Sequence, residues 1–270
     1  MIKKIFMMSV SLYLVIMLIG CDMVSSNTFT FVLDESYESY ITMGTSADYP
    51  PYEWLMNDGN NNHTVVGIDI EIAKVIAHAL GKNLRVVNRG FDFLLEDLKS
   101  GKVDFVISAM TPTEERSKVV DFSNIYYKAT QVVLIKSNDL ETFDSIDALN
   151  KSNIRIGAQL GSIQQTYAED LFTLAQKQFI QAVPDLVLGL RNNQLSGVIM
   201  ERPVAEGFIN NLSGLAIANF SIGDPEDGSA VAVRKNNDAL LAVINDVLET
   251  LISTGQIDQF VSDFILLNNG

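Results

Sequence analysis

The 270-residue sequence has one cysteine, two histidines and one tryptophan. A single cysteine excludes an internal disulfide framework. His63 lies in a polar Asn-rich turn and His78 on an expected helix, and neither stands at metal-ligand spacing. Gly-x-Ser-x-Gly, His-Glu-x-x-His and P-loop motifs are all missing, so no catalytic centre, metal or cofactor is expected. Basic residues are scarce: 19 against 33 acidic ones, for a formal charge of −14. A phosphate-binding surface needs clustered Lys and Arg, which rules out nucleic acid as a partner. The acidity reads as solubility or as mild attraction for a cation. Beyond residue 20 no apolar run approaches the roughly 20 residues that a spanning helix needs. What remains is rich in core-forming side chains, 47% apolar, without low-complexity stretches. It suits one large domain or two small ones.

The first residues read differently. Lys3 and Lys4 precede an apolar run over 5–19 that only Ser9 and Ser11 interrupt. Short and positively started, it suits a signal-peptide core. It ends Leu18-Ile19-Gly20-Cys21, which resembles the lipobox of bacterial lipoproteins. That resemblance implies residues 1–20 as a lipoprotein signal peptide, cleavage before Cys21, and acyl chains such as palmitate on the new terminus. Two or three chains hold a protein firmly on a membrane. The alternative is an ordinary secreted protein with a chance cysteine. Loss of both leader lysines takes the charge from −14 to −16. Residues 21–38 read as a tether, although 29–33 could pack, and the protein is expected at the cell membrane on its extracytoplasmic side.

From residue 40 strand-like and helix-like segments alternate. Strands are expected over 40–45, 84–87 and 103–108, with helices over 68–80 and 93–99 and a loop over 48–59. In the first helix Ile68, Ile72, Val75, Ile76 and Ala79 share a face, and Gly81 follows as a C-cap. A second round places strands at 131–135, 154–158, 179–183 and 197–200, and helices at 163–176 and 185–191. The order implies two similar α/β lobes with mostly parallel sheets. The tail, a strand over 230–233 and helices near 237–253 and 255–266, is too small for a third domain and is expected to return to the first lobe. In open α/β sheets ligands bind beyond the carboxyl ends of strands. Those ends are Thr45, Ser108–Ala109, Ala158–Gln159 and Met200–Glu201.

Each end carries chemistry with two readings. Thr111 can cap a short helix whose Arg116 either sits on the surface or forks a carboxylate. Ser162 and Gln165 fit a capping box after Gly161, serving the helix alone or, with Gln159 nearby, an anion at its N-terminus. Glu201 ends an apolar strand and needs a partner: an internal base such as Arg202, or an ammonium group. Tyr49 and Phe91 are core, or walls around a ligand. Taken together, an anion site, a cation site and aromatics between them describe a receptor for a zwitterion.

Five segments carry a further resemblance: GTSADYPPYEW (44–54), VGIDIEIAK (66–74), SAMTPTEER (108–116), VDFSNIYY (120–127) and GAQLGSIQQ (157–165). They are similar to the polar amino-acid substrate-binding proteins of ABC importers, solute-binding family 3, over nearly all of 40–266. The resemblance implies the periplasmic-binding-protein type II fold, two α/β lobes joined by a two-segment hinge. Lobe 1 would comprise 39–125 and 225–270, lobe 2 131–217, with hinges at about 125–131 and 218–224. It places the ligand's α-carboxylate on Arg116, Thr111 and the Ser162–Ile163 backbone. The α-ammonium falls on the Ala109 carbonyl, Thr111 and Glu201, and the side chain between Tyr49 and Phe91. The family often has glycine at Ala109. An aspartate that some members use for ligand selection aligns with Ser46, with Asp48 nearby. The implied protein is a lipid-anchored receptor, expected to be monomeric, that passes a free L-amino acid to a membrane permease. The absence of Lys and Arg from 44–56, with Asp48 and Glu53 there, favours arginine, lysine or glutamine. The alternative on this fold is an enzyme resembling cyclohexadienyl dehydratase.

Overall fold

A computed structural model describes residues 27–57 and 63–268. Cys21 and the signal segment lie outside the described residues. Two sheets dominate. In the first, six strands lie in the order β1 (Thr28–Phe31), β6 (Asn83–Asn88), β2 (Tyr40–Thr45), β7 (Phe105–Val106), β14 (Ala232–Arg234) and β8 (Val120–Phe122). In the second, five lie in the order β11 (Gln176–Ile180), β10 (Arg155–Gln159), β12 (Gly197–Glu201), β9 (Gln131–Lys136) and β13 (Leu215–Ile222). The chain thus leaves the first sheet after Phe122, enters the second at Gln131, and returns between Ile222 and Ala232.

Both sheets are mixed. β2 pairs in parallel with β6 and β7, and β10 with β11 and β12, while β1, β8, β9, β13 and β14 run antiparallel to their neighbours. Several expectations are corrected here. Thr28–Phe31, assigned to the tether, is an edge strand on β6, because Phe29 and Phe31 have core to pack against. The segment expected as a loop over 48–59 contains β3 (Asp48–Tyr49) and β4 (Glu53–Asn57), which form a small sheet with β5 (His63–Val66). The helix expected over 163–176 stops at Leu171, where Phe172 turns into the core.

Helices cover the sheets. α1 (Ile68–Ala79) buries Ile68, Ile70, Ile72, Ala73, Ile76 and Ala77. Each buried isoleucine is worth about 1.5–3 kcal/mol. Its start is clamped by Gly67, whose added Cβ would lie 2.0 Å from the Tyr52 carbonyl oxygen. Ile68 and Asp69 amides donate to the Pro51 and Tyr52 carbonyls at 3.1 and 3.0 Å. The aromatic loop is thereby fixed to α1. The other helices are α2 (Leu94–Lys99), α3 (Glu114–Ser117), α4 (Ile146–Leu149), α5 (Ile163–Leu171), α6 (Val183–Arg191), α7 (Arg202–Asn211), α8 (Asp238–Ser253) and α9 (Gln256–Asn268). α8 packs on α1, and α9 on both. Among the described residues no single helix is long and apolar enough to cross a membrane.

Candidate functional site

The ends of β2, β7, β10 and β12 converge between the sheets. After β7 the chain bends at Ser108–Ala109 and runs on without regular structure to Thr113, whose side chain accepts the Arg116 amide at 3.1 Å. Thr113, not Thr111, is the N-cap of α3. The cap falls two residues later because Thr113 is the last residue with extended dihedrals. Thr111 is buried, and its carbonyl accepts Arg116 Nη1 at 2.5 Å. Nη2 crosses to the second lobe and donates to the Gly161 carbonyl at 2.9 Å. The guanidinium also lies 5.4 Å from the Phe91 ring centre. Among the described residues no carboxylate pairs with it. Burial pulls its pKa down to about 10, so it stays charged at neutral pH.

The facing loop follows β10. Ser162 accepts the Gln165 amide at 3.3 Å and caps α5, while Gln165 Oε1 accepts the Gly161 amide at 2.9 Å. The reciprocal bond of the expected capping box thus falls on Gly161. Gly161 has φ 78°, and a Cβ there would come within 3.1 Å of the Asp92 Cα in the other lobe. Glycine is what lets the lobes meet.

Carboxyls crowd the opposite side. Glu53 on β4 is fully buried; Ser108 Oγ donates to its Oε1 at 2.6 Å, and no donor reaches Oε2. Asp69, on the first turn of α1, accepts the Ala109 amide at 2.8 Å and the Tyr126 hydroxyl at 2.7 Å. The first bond holds Ala109 at φ 45°, a left-handed conformation that a non-glycine residue rarely adopts. Burial raises the Glu53 pKa well above the usual range and the Asp69 pKa to about 6. Glu201, at the end of β12, lies one layer back. Tyr52 donates to its Oε2, and Gln131 Nε2 is 3.5 Å from Oε1. Its own amide donates to the Tyr49 hydroxyl at 2.9 Å. Burial raises its pKa to about 7. Arg202, weighed as its partner, instead faces Glu206 at 3.8 Å.

Asp48 bridges the lobes at the mouth. Its Oδ2 accepts the Val183 amide at 3.0 Å, so a side chain of the first lobe caps α6 of the second. Gln159 Nε2 is 3.4 Å from its Oδ1, and Ser46 Oγ donates to the same oxygen at 3.2 Å. Burial raises the Asp48 pKa to about 6 against these bonds.

One enclosed pocket brings together Tyr49, Phe91, Ala109, Thr111, Arg116, Gln159, Ser162 and Ile163. Ser46 and Asp48 line an adjoining cleft. Glu201 sits behind Tyr49 and Gln131. Glu53, Ser108 and Gln164 line the pocket without having been singled out as site residues. The signal for Glu53 was present: an acid between the two aromatics Tyr52 and Trp54, facing inward once Tyr49 pairs with it.

An arginine-binding extracellular protein of Bacillus subtilis is 35% identical over 233 residues, covering 83% of this chain and 86% of its own. A substrate-binding protein of a Streptococcus pneumoniae amino-acid ABC transporter, solved bound to L-arginine, superposes with TM-score 0.81 at 35% identity, covering 86% of this chain and 97% of that one. An ancestral amino-acid-binding protein described as a precursor of cyclohexadienyl dehydratase superposes with TM-score 0.76 at 26% identity, covering 84% of this chain and 96% of that one. The model of the bacterial extracellular solute-binding proteins, family 3, matches residues 41–266. With its two mixed α/β lobes and the cleft between them, this chain belongs to that family, the polar amino-acid substrate-binding proteins of ABC importers, and has their type II periplasmic-binding-protein fold.

Proposed function

We propose that this chain is the lipid-anchored extracytoplasmic receptor that captures a free polar or cationic L-amino acid, arginine or lysine before glutamine, for an ABC importer. One observation carries the reading: a single aromatic-walled pocket is lined both by a guanidinium that no carboxylate pairs with among the described residues and by a buried carboxyl one of whose oxygens has no partner. The α-carboxylate goes to Arg116, with Thr111 and the Ser162–Ile163 turn beside it. The α-ammonium goes to the Ala109 carbonyl, Thr111 and Glu201. The side chain runs between Tyr49 and Phe91, and its cation meets Glu53. Asp48, Gln159 and Ser46 close the mouth over it. The arginine-binding relatives support the choice of ligand.

A thermal-shift screen against the twenty amino acids and prephenate tests this reading. Arginine should raise the melting temperature most. Glutamate or aspartate as the strongest stabiliser would overturn the cationic assignment, and turnover of prephenate would favour the dehydratase reading. The anchor is tested separately. Cys21→Ser should release the protein from the membrane fraction or leave it unprocessed, and unchanged attachment with unchanged cleavage would remove the anchor.

A further inference from the structure

Glu53 and Asp69 are buried neighbours, and burial and mutual repulsion disfavour two carboxylates there. Both are fully buried, and consecutive residues serve them, the Ser108 hydroxyl on Glu53 and the Ala109 amide on Asp69; burial first, and then the Asp69 charge, raise the Glu53 pKa. Asp69 is well supplied as an anion, by the Ala109 amide and the Tyr126 hydroxyl. Glu53 has only Ser108 Oγ, on Oε1, and nothing donates to Oε2. A carboxylate in that position would be stranded, whereas a protonated carboxyl carries no charge to strand. The charged and titratable groups around Glu53 reinforce this. Asp69 comes from α1, Asp48 from β3, Tyr49 and Tyr52 from the aromatic loop, Tyr126 from the first crossing and Glu201 from β12; none is a base. Arg116 also lines the pocket, but it gives Glu53 no hydrogen bond: one Nη donates to the Thr111 carbonyl and the other to the Gly161 carbonyl.

We infer that Glu53 is protonated in the empty pocket and that a cationic ligand side chain displaces this proton, so that capture of the ligand releases a proton to solvent. This rests on the reading of the pocket given above. The exchange is balanced: the Glu53 O–H bond breaks, the proton leaves to buffer, and the ligand's guanidinium takes its place as donor to the carboxylate. No other bond changes. A neutral side chain offers no charge to compensate a second carboxylate and leaves the proton where it is. The pocket therefore separates cationic from neutral amino acids by an ion exchange, and protons compete with arginine.

Calorimetric titration in buffers of differing ionisation enthalpy tests this at pH 6.5, with L-arginine and its neutral isostere L-citrulline. Roughly one proton should be released per arginine and none per citrulline, and arginine affinity should fall about tenfold per pH unit on acidification, as linkage to one proton requires. Glu53→Gln should abolish the release. Tight arginine binding without proton release overturns the exchange and leaves the ligand assignment standing. Equal release with arginine and citrulline places the proton on a group serving the α-ammonium, such as Glu201, and also overturns it. Failure of arginine to bind, with an acidic or neutral amino acid bound instead, overturns the ligand assignment itself. These wild-type titrations decide the matter even if Glu53→Gln does not fold.

Discussion

The two ends of the pocket leave opposite charges unmatched. At one, Arg116 spends its donors on two backbone carbonyls and meets no carboxylate among the described residues. At the other, Glu53, Asp69 and Glu201 share tyrosine and serine hydroxyls, one amide and one glutamine, with no base among them. Folding alone would favour pairing these charges or replacing them with apolar groups. A ligand with a carboxylate at one end and cations at the other satisfies both ends at once. The two ends also differ in cost. A guanidinium with carbonyl partners stays charged at any physiological pH, whereas burial makes the carboxyls titrate above their usual range, some of them near neutral pH. Affinity should therefore depend on the first end directly and on the second through pH.

The sharpest way to break this comparison is Arg116→Ala. Removing one partner from a desolvated pair costs about 3–5 kcal/mol, mainly by stranding the other charge, or at least about 100-fold in affinity. The melting temperature of the unliganded protein should hardly move. Near-wild-type affinity in the folded mutant would show that Arg116 merely serves a helix end.

The acid end should reveal itself next, in stability against pH. Glu201 titrates at about 7 instead of its usual 4.5, and Asp48 and Asp69 at about 6 instead of 3.8. The folded state then binds more protons than the unfolded one between these limits, so stability is full below about pH 4 for these groups and falls as pH rises towards 7. Glu201 alone accounts for about 3 kcal/mol, so the melting temperature should drop by roughly 5 °C or more between pH 5 and pH 8. Glu201→Gln keeps a hydrogen-bond acceptor for Tyr52 and should flatten this dependence. An equally steep profile in that mutant would remove Glu201 as its source.

How far the sequence disclosed this arrangement varies by element. α1 and β2 were legible because their apolar residues recur regularly, although of the face expected for α1 only Ile68, Ile72 and Ile76 are buried, with Val75 half-buried and Ala79 exposed. β13 was not: a register shift between Ile217 and Ser221 breaks its alternation. Arg116, Tyr49 and Phe91 were legible from residue type beside a strand end or a proline-rich loop. The role of Glu53 was not, because its inward direction follows from pairing with Tyr49 across a turn that reads as loop. Glu201 was legible as a buried acid, but its setback behind Tyr49 depends on how the lobes meet.

A milder test concerns the mouth. Asp48→Ala removes a cap that α6 receives from the other lobe and should cost about 1 kcal/mol, read as a roughly fivefold weaker affinity. Unchanged affinity would show that closure does not use this bond. Smallest of all is Ala109→Gly. Glycine relieves the left-handed strain but adds unfolded-state freedom, so stability should change by less than about 1 kcal/mol with affinity preserved, because only the carbonyl is used. A large affinity loss would mean that the Ala109 methyl shapes the pocket.

The most direct measurement is a calorimetric comparison of L-arginine, agmatine and L-glutamate on the wild-type protein. Agmatine keeps the amine and guanidinium but lacks the carboxylate that Arg116 awaits; glutamate keeps the amino-acid head but brings an anion to the acid end. Arginine should bind tightest, agmatine at least about 100-fold more weakly, and glutamate not measurably. Agmatine binding as well as arginine would contradict the anion end, and glutamate binding as well as arginine would contradict the cation end.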